Sequence, residues 1–194
     1  MSIGCIHGRF QPFHNGHFEY LLAASELCDR LVIGITQYDP ETTDRGSPPH
    51  RMAESDNPFS YWERLQIIRG AIAKSTLTKR EVEVVPFPIH EPENIWRFVD
   101  PTSIMFTTIY DRWNVEKIRR LKDQSFRVHV LWRRRVKEIE GKRVRLAMRQ
   151  YPLEFRALVP EGAFEVIEEI KRNWSIQPAS PNSLRRDNLT NSSA

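Results

Sequence analysis

The sequence predicts an α/β fold: an open parallel sheet with helices on both faces and a small helical part at the C-terminal end. Three observations carry this. Short apolar, β-branched runs alternate with stretches of helical periodicity, the order that gives strands joined by crossover helices. The 194 residues, 40% of them apolar, suffice for one domain with an ordinary core. No apolar run approaches the ~18 residues of a membrane span, so no membrane partner is expected.

Ile3–His7 is the first strand, followed by a turn-rich stretch from Gly8 to Gly16. Phe18, Leu21, Leu22 and Leu27 then recur at helical spacing to about Cys28. Leu31–Thr36 is rich in β-branched residues and reads as a buried strand. Residues 37–59 are polar, hold four prolines and show no periodicity, which marks a functional lid or a disordered insertion. Ser60, with Glu63 three residues on, forms a capping-box signature that opens a helix to about Ser75. Val82–Phe87 reads as a strand, Glu93–Val99 as a short helix, Ile104–Thr108 as a strand and Asn114–Lys122 as a helix. Arg127–Trp132 alternates and is a further strand, giving five or six in all. Short helices follow at Lys142–Gln150 and Glu154–Leu158, then Glu161–Arg172 with Phe164, Ile167 and Ile170 on one face. From about Ser175 the chain is Ser, Asn, Pro and Arg with almost nothing apolar, a disordered tail.

Cys5 and Cys28 both sit in apolar stretches, which reads as buried free thiols in a reducing compartment. The first residues lack a charged head and long apolar block, so a cytoplasmic location is expected. The net charge of +4 is unevenly placed: eight Lys or Arg fall between Arg133 and Arg149, against Glu138 and Glu140. One basic segment on a near-neutral body fits either a local anionic ligand or a solvated loop. It lacks the helix-turn-helix, stacking platform or zinc pattern of a nucleic-acid module, so no nucleic-acid partner is expected.

In an open parallel sheet, ligands bind beyond the carboxyl ends of the strands, which directs attention to Gly8 through His17. Gly8 lets the backbone approach a ligand, and Gly16 lies where the turn feeds the first helix. That helix start presents unpaired N–H groups and partial positive charge, and His14 and His17 flank it, three apart. A metal pair lacks a third ligand, since His7, His50, His90 and His129 are scattered and no acidic cluster accompanies them. A nucleophilic triad lacks a Gly-framed serine elbow.

The stretch Gly8-Arg9-Phe10-Gln11-Pro12-Phe13-His14-Asn15-Gly16-His17 closely resembles the signature of the archaeal-type nicotinamide-nucleotide adenylyltransferases of the HxGH nucleotidylyltransferase superfamily. Asn57-Pro58-Phe59 ahead of Glu63-Arg64 is similar to that family's helix entry after its second strand. Phe155 to Pro160 leading into Glu165–Ile170 is similar to its closing helices. The resemblance runs from about Ile3 to Arg172 and implies a Rossmann-like sheet. It makes residues 1–173 the nucleotidylyltransferase domain and 174–194 the tail.

The family's second signature matches Ile139-Glu140-Gly141-Lys142-Arg143-Val144-Arg145, where Gly141 and Arg145 are kept and two hydroxyl residues are replaced by Glu140 and Lys142. The implied chemistry is in-line attack of a phosphate oxygen on the α-phosphorus of ATP, releasing pyrophosphate, as in NAD biosynthesis. By resemblance, His14, His17 and Arg145 are catalytic. Gly8, Arg9, Phe10, Gly16, Gly141 and Lys142 bind nucleotide and phosphate, with Mg²⁺ held mainly by the phosphates and no metal site in the chain itself. Trp96 matches the nicotinamide-stacking Trp, with Asn94 beside it. The expected Asn is displaced by one residue and the neighbouring Asp is absent. Arg45 and Arg51 fall away from the family's phosphate-contacting position, and the loop Tyr110-Asp111-Arg112-Trp113 also differs. These changes point to an altered acceptor pocket. The expected partners are ATP or CTP and a small phosphate-bearing acceptor, nicotinamide mononucleotide by resemblance. The alternatives are a different phosphate or phosphonate acceptor, CTP for ATP, or a catalytically silent nucleotide-binding regulator. The resemblance also implies a homo-oligomer.

Overall fold

Five of the apolar runs pair into one sheet in the computed structural model, which describes residues 1–38 and 54–176. The strands are β1 (Ile3–Gly8), β2 (Arg30–Ile35), β3 (Glu81–Pro86), β4 (Ile104–Ile109) and β5 (Arg127–Arg133). Neighbours are parallel throughout, in the order β3-β2-β1-β4-β5. β1 is central, with Ile3 opposite Arg30 of β2 and Gly4 opposite Ile104 of β4. Its middle residues Gly4–His7 are all buried, as a strand covered on both faces requires.

The helices are α1 (Asn15–Ser25), α2 (Tyr61–Ala73), α3 (Arg112–Asp123), α4 (Gly141–Gln150), α5 (Pro152–Leu158) and α6 (Glu161–Ile176). None is long and apolar enough to cross a membrane among the described residues. The β1–β2 and β4–β5 connections advance in opposite directions along the sheet. Right-handed crossovers therefore place α1 and α3 on opposite faces. On the α3 side, Cys5, Val32, Phe87, Met105 and Leu121 share one apolar cluster.

The described residues form two compact units. A sheet unit comprises 1–9, 16–38 and 79–138, and a helical unit comprises 10–15, 54–78 and 139–176. In the helical unit α2 crosses α6 at Gly70 and Gly162. A Cβ on Gly162 would lie 2.0 Å from the Gly70 carbonyl oxygen, so no side chain fits there.

Several boundaries moved for local reasons. Pro92–Arg97 is a 3-10 turn rather than an α-helix: Pro92 opens it and Phe98 N–H reaches Ile95 O at 3.0 Å. α3 starts two residues early because Asp111 caps it, its carboxylate accepting from Asn114 N at 2.9 Å. The first helix ends at Ser25, short of Cys28. α6 continues to Ile176, past the expected end at Arg172 and into the segment assigned to the tail. Trp174 is buried there, its Nε1–H donating to Glu63 at 2.7 Å and its ring 5.3 Å from Phe59. Residues 39–53, most of the stretch read as a lid or insertion and including Arg45 and Arg51, lie outside the described residues, as do 177–194 of the tail.

Candidate functional site

In the sheet unit the connections run outward from β1 on one side and from β4 on the other. The carboxyl ends of these two strands thus mark the topological switch point, where ligands of open parallel sheets bind. Gly8 closes β1 there, its carbonyl accepting from Thr36 N at 2.9 Å, and Arg9 follows, half-buried. His17 stands half-buried in the first turn of α1 with Gly16 before it. His7, one residue before Gly8, is 3% exposed and stacked on Phe87 at 4.7 Å, and neither ring nitrogen has a hydrogen-bond partner among the described residues. Burial holds its pKa well below the ordinary histidine value, and the charge of Lys117 on α3 adds to this.

The helical unit carries the rest of the first signature, residues 10–15, and the whole of the second. Phe10 takes a left-handed backbone with φ 52°, a conformation that costs a bulky residue on the order of 1 kcal/mol. Its ring is buried against Phe13, 5.6 Å away, which over-determines the turn. The Gln11–Pro12 bond is cis. The Gln11 amide clamps the chain ahead of α2: its Nε2 donates to Phe59 O at 2.7 Å and its Oε1 accepts from Phe59 N at 3.1 Å. The Gln11 carbonyl in turn accepts from Arg145 Nη1 at 2.9 Å. Arg145, on α4, is 4% exposed and is also paired with the Asp56 carboxylate. Burial lowers its pKa from the ordinary arginine value, and Asp56 opposes that shift. Gly141 makes room for the guanidinium, since a Cβ there would sit 3.1 Å from Arg145 Nη1. His14 is buried beside this turn, and Asn15 Nδ2 donates to Ala157 O at 2.9 Å, tying it to α5.

The helical unit therefore gathers Phe10, Gln11, Gly141 and Arg145 into one network, joining the two signatures that lie far apart in the chain. Glu140 and Lys142 stay outside it: both are exposed, and Glu140 takes the N-cap position of α4 without a side-chain capping bond. The basic segment is divided. Arg134 forms a bidentate pair with Glu19 at 2.7 and 3.1 Å, and Arg143 binds Glu154 at 2.9 Å. Of its eight cations, Arg145 alone is buried.

The residues that the resemblance gives to the acceptor, Trp96 and Asn94, lie in the sheet unit. Trp96 is 60% exposed, with the Arg97 guanidinium 5.1 Å over its ring. Asn94 is engaged at both ends of its amide, donating to Glu91 at 3.2 Å and accepting from Arg97 at 3.1 Å. His90 and Trp113 stack at 5.6 Å, and Arg120 covers the same indole at 5.0 Å. Gln11 and Asp56, the two partners of Arg145, carry no role in the sequence reading: Gln11 lies inside the quoted signature without one, and Asp56 follows Glu54 near the end of a polar stretch and belongs to no motif. Among the described residues no three His, Cys, Asp or Glu side chains gather to hold a metal ion.

A protein-family model described as cytidylyltransferase-like matches residues 5–154. The chain is 39% identical over 168 residues to a phosphonoformate cytidylyltransferase of Streptomyces viridochromogenes, a match covering 86% of this chain and 90% of that protein. It is 31% identical over 167 residues to a nicotinamide-nucleotide adenylyltransferase of Halorubrum lacusprofundi, covering 84% of each. Among solved structures, Thermotoga maritima TmcAL bound with alpha-thio ATP matches with a TM-score of 0.60 at 13% identity, over 90% of this chain and 57% of that one, a likeness of fold.

Proposed function

Because the chain belongs to the cytidylyltransferase-like family and is a nucleotidyltransferase, we propose that it transfers the nucleotidyl group of CTP to a small phosphonate- or phosphate-bearing acid, releasing pyrophosphate. An oxygen of the acceptor attacks the α-phosphorus, the bond from that phosphorus to the bridging oxygen breaks, and pyrophosphate leaves. Nothing in this step requires a covalent enzyme intermediate; the protein positions groups and neutralises developing charge. Arg145, fixed by Gln11 and given space by Gly141, receives the terminal phosphates. His14 and His17 take the phosphate-stabilising roles that the resemblance implies, with Gly8, Arg9 and Gly16 at the nucleotide. Mg²⁺ arrives as part of the nucleotide substrate. A homo-oligomer remains part of the proposal and is read by the hydrodynamic size of the purified chain.

The observation that supports a small acceptor is the pairing of aromatic faces in the sheet unit. His7 is stacked on Phe87, His90 on Trp113, and Arg97 lies over Trp96, so these rings are already engaged. Arg97 already covers one face of Trp96, the ring that the resemblance gives to nicotinamide, whereas a small acid needs no stacking partner. The 39% identity to a phosphonoformate cytidylyltransferase supports the same choice and the choice of CTP. A second reading, AMP transfer from ATP to nicotinamide mononucleotide, is favoured by the 31% identity to a nicotinamide-nucleotide adenylyltransferase.

The test is pyrophosphate release from CTP or ATP with Mg²⁺, offered phosphonoformate, phosphonoacetate or nicotinamide mononucleotide, with mass analysis of the products. The expected product is a cytidylylated phosphonate. Formation of NAD alone selects the second reading. Nucleotide binding without pyrophosphate release from any pair overturns transferase activity towards these acceptors.

A further inference from the structure

Burying a guanidinium is costly unless it is paired or hydrogen-bonded, and in this structure the charged partner of Arg145 is a carboxylate. Asp56 supplies it from the end of the 3-10 turn Glu54–Asp56, while Gln11 O takes the other side of the guanidinium at 2.9 Å. The two partners are unequal. The Gln11 carbonyl is neutral and its residue is locked to Phe59 through two hydrogen bonds, whereas the Asp56 side chain is 26% exposed and charged. A carboxylate and a phosphate oxygen offer an arginine the same charge-assisted, fork-shaped contact.

We propose that Asp56 is a positioning residue for Arg145: it holds the guanidinium aligned while no nucleotide is bound and yields its place when the terminal phosphates of a nucleoside triphosphate arrive. This rests on the phosphate-binding role of Arg145 given above. The exchange swaps one anion for another, so the buried cation is never left bare. The displaced carboxylate already reaches solvent, so its release costs little. The exchange also makes Asp56 a competitor. Nucleotide affinity is lower than Arg145 alone would give, because the phosphates must replace a partner already in place and tolerate its charge nearby. Removing that charge tightens polyphosphate binding and loosens the alignment of the guanidinium.

The test is titration calorimetry of the full chain with inorganic tripolyphosphate, which needs neither acceptor nor turnover. Asp56→Asn is expected to bind about tenfold more tightly than the wild type, the size of one charge-assisted contact, and Arg145→Gln at least tenfold more weakly. In turnover assays Asp56→Asn is expected to lower both KM for the nucleotide and kcat. A merely structural role would lower the melting temperature and leave tripolyphosphate affinity unchanged, and that result overturns the proposal. Asp56→Glu keeps the charge and serves if the Asn variant fails to fold. It should bind tripolyphosphate within about threefold of wild type, and an equal tightening in the Glu variant overturns the competition. The two readings fail differently. Loss of tripolyphosphate binding in the wild type removes the phosphate role of Arg145 and both readings with it. Normal turnover with unchanged affinity in Asp56→Asn removes only this inference.

Discussion

In the sheet unit the deeply buried groups His7, Tyr20 and Cys5 are held neutral, whereas the helical unit buries two arginine cations, Arg64 and Arg145. Burial pushes the His7 pKa down and the Tyr20 and Cys5 values up, so all three are uncharged at neutral pH. Tyr20 satisfies its hydroxyl on the Phe106 carbonyl at 2.5 Å. The fully buried charges among the described residues, Arg64 and Arg145, both lie in the helical unit. Arg64 donates to Ser60 O at 3.3 Å, and Arg145 has Gln11 and Asp56. The sheet unit buries its titratable groups without charge, whereas the helical unit carries desolvated positive charge, partnered at Arg145 by the Asp56 carboxylate.

The strongest way to break this contrast is to remove the cation. Arg145→Ala is expected to lower kcat by about 10²–10³, as loss of one preorganised donor does, and His17→Ala by a similar factor. Near-normal turnover in the purified variants would deny them their roles. Next comes the α2–α6 crossing of the same unit. Gly162→Ala forces a Cβ into the Gly70 carbonyl and should destabilise the chain by about 3 kcal/mol, read as a melting temperature lower by roughly 6–12 °C. An unchanged melting temperature would mean that the α2–α6 crossing is looser than described.

A third substitution sharpens the contrast from the sheet side. Folded His7 takes up a proton less readily than the unfolded chain, whose histidine titrates near its ordinary 6.5. As pH falls below that value the unfolded state gains the proton first, so the stability present above it is lost on acidification. His7→Leu removes this term and should flatten the acid side of the melting curve by up to about 1.4 kcal/mol per pH unit. Melting temperatures of both proteins from about pH 5 to 7.5 check it, and parallel slopes would show that His7 protonates freely. The smallest effect is expected at the surface. Trp96→Ala should change stability by less than about 0.5 kcal/mol and acceptor KM by less than about threefold. A large rise in acceptor KM would restore Trp96 as a stacking platform and favour the nicotinamide acceptor.

What could be read from the sequence was local. The alternation of runs gave the parallel sheet, and Ser60 with Glu63 gave a capping box whose two bonds, 3.2 and 2.8 Å, are both present. The Asp111–Asn114 box was missed because Asn, rather than Glu or Gln, closes it. The long-range pairs left no local trace. Asp56 and Arg145 are 89 positions apart, and Trp174 and Glu63 are 111 apart, so neither the partner of Arg145 nor the full length of α6 could be inferred from neighbours. The division into two units was hidden for the same reason. Residues 10–15 cross into the helical unit within one motif, with no change in composition to mark the crossing.

The Gly70–Gly162 crossing also sets a delay in the making of the protein. α2 leaves the ribosome well before α6, with roughly ninety residues of chain between them. At ~5–20 residues per second that is about 5–20 s in which α2, with the residues Leu65, Ile67, Ile68 and Ala71 that end up buried, waits for the helix that crosses it at Gly70 and Gly162. The nascent chain meanwhile offers this apolar face to chaperones and to other nascent copies. Association between nascent copies in that interval depends on the rate of synthesis and on the concentration of unfinished chains, not on the stability of the finished fold.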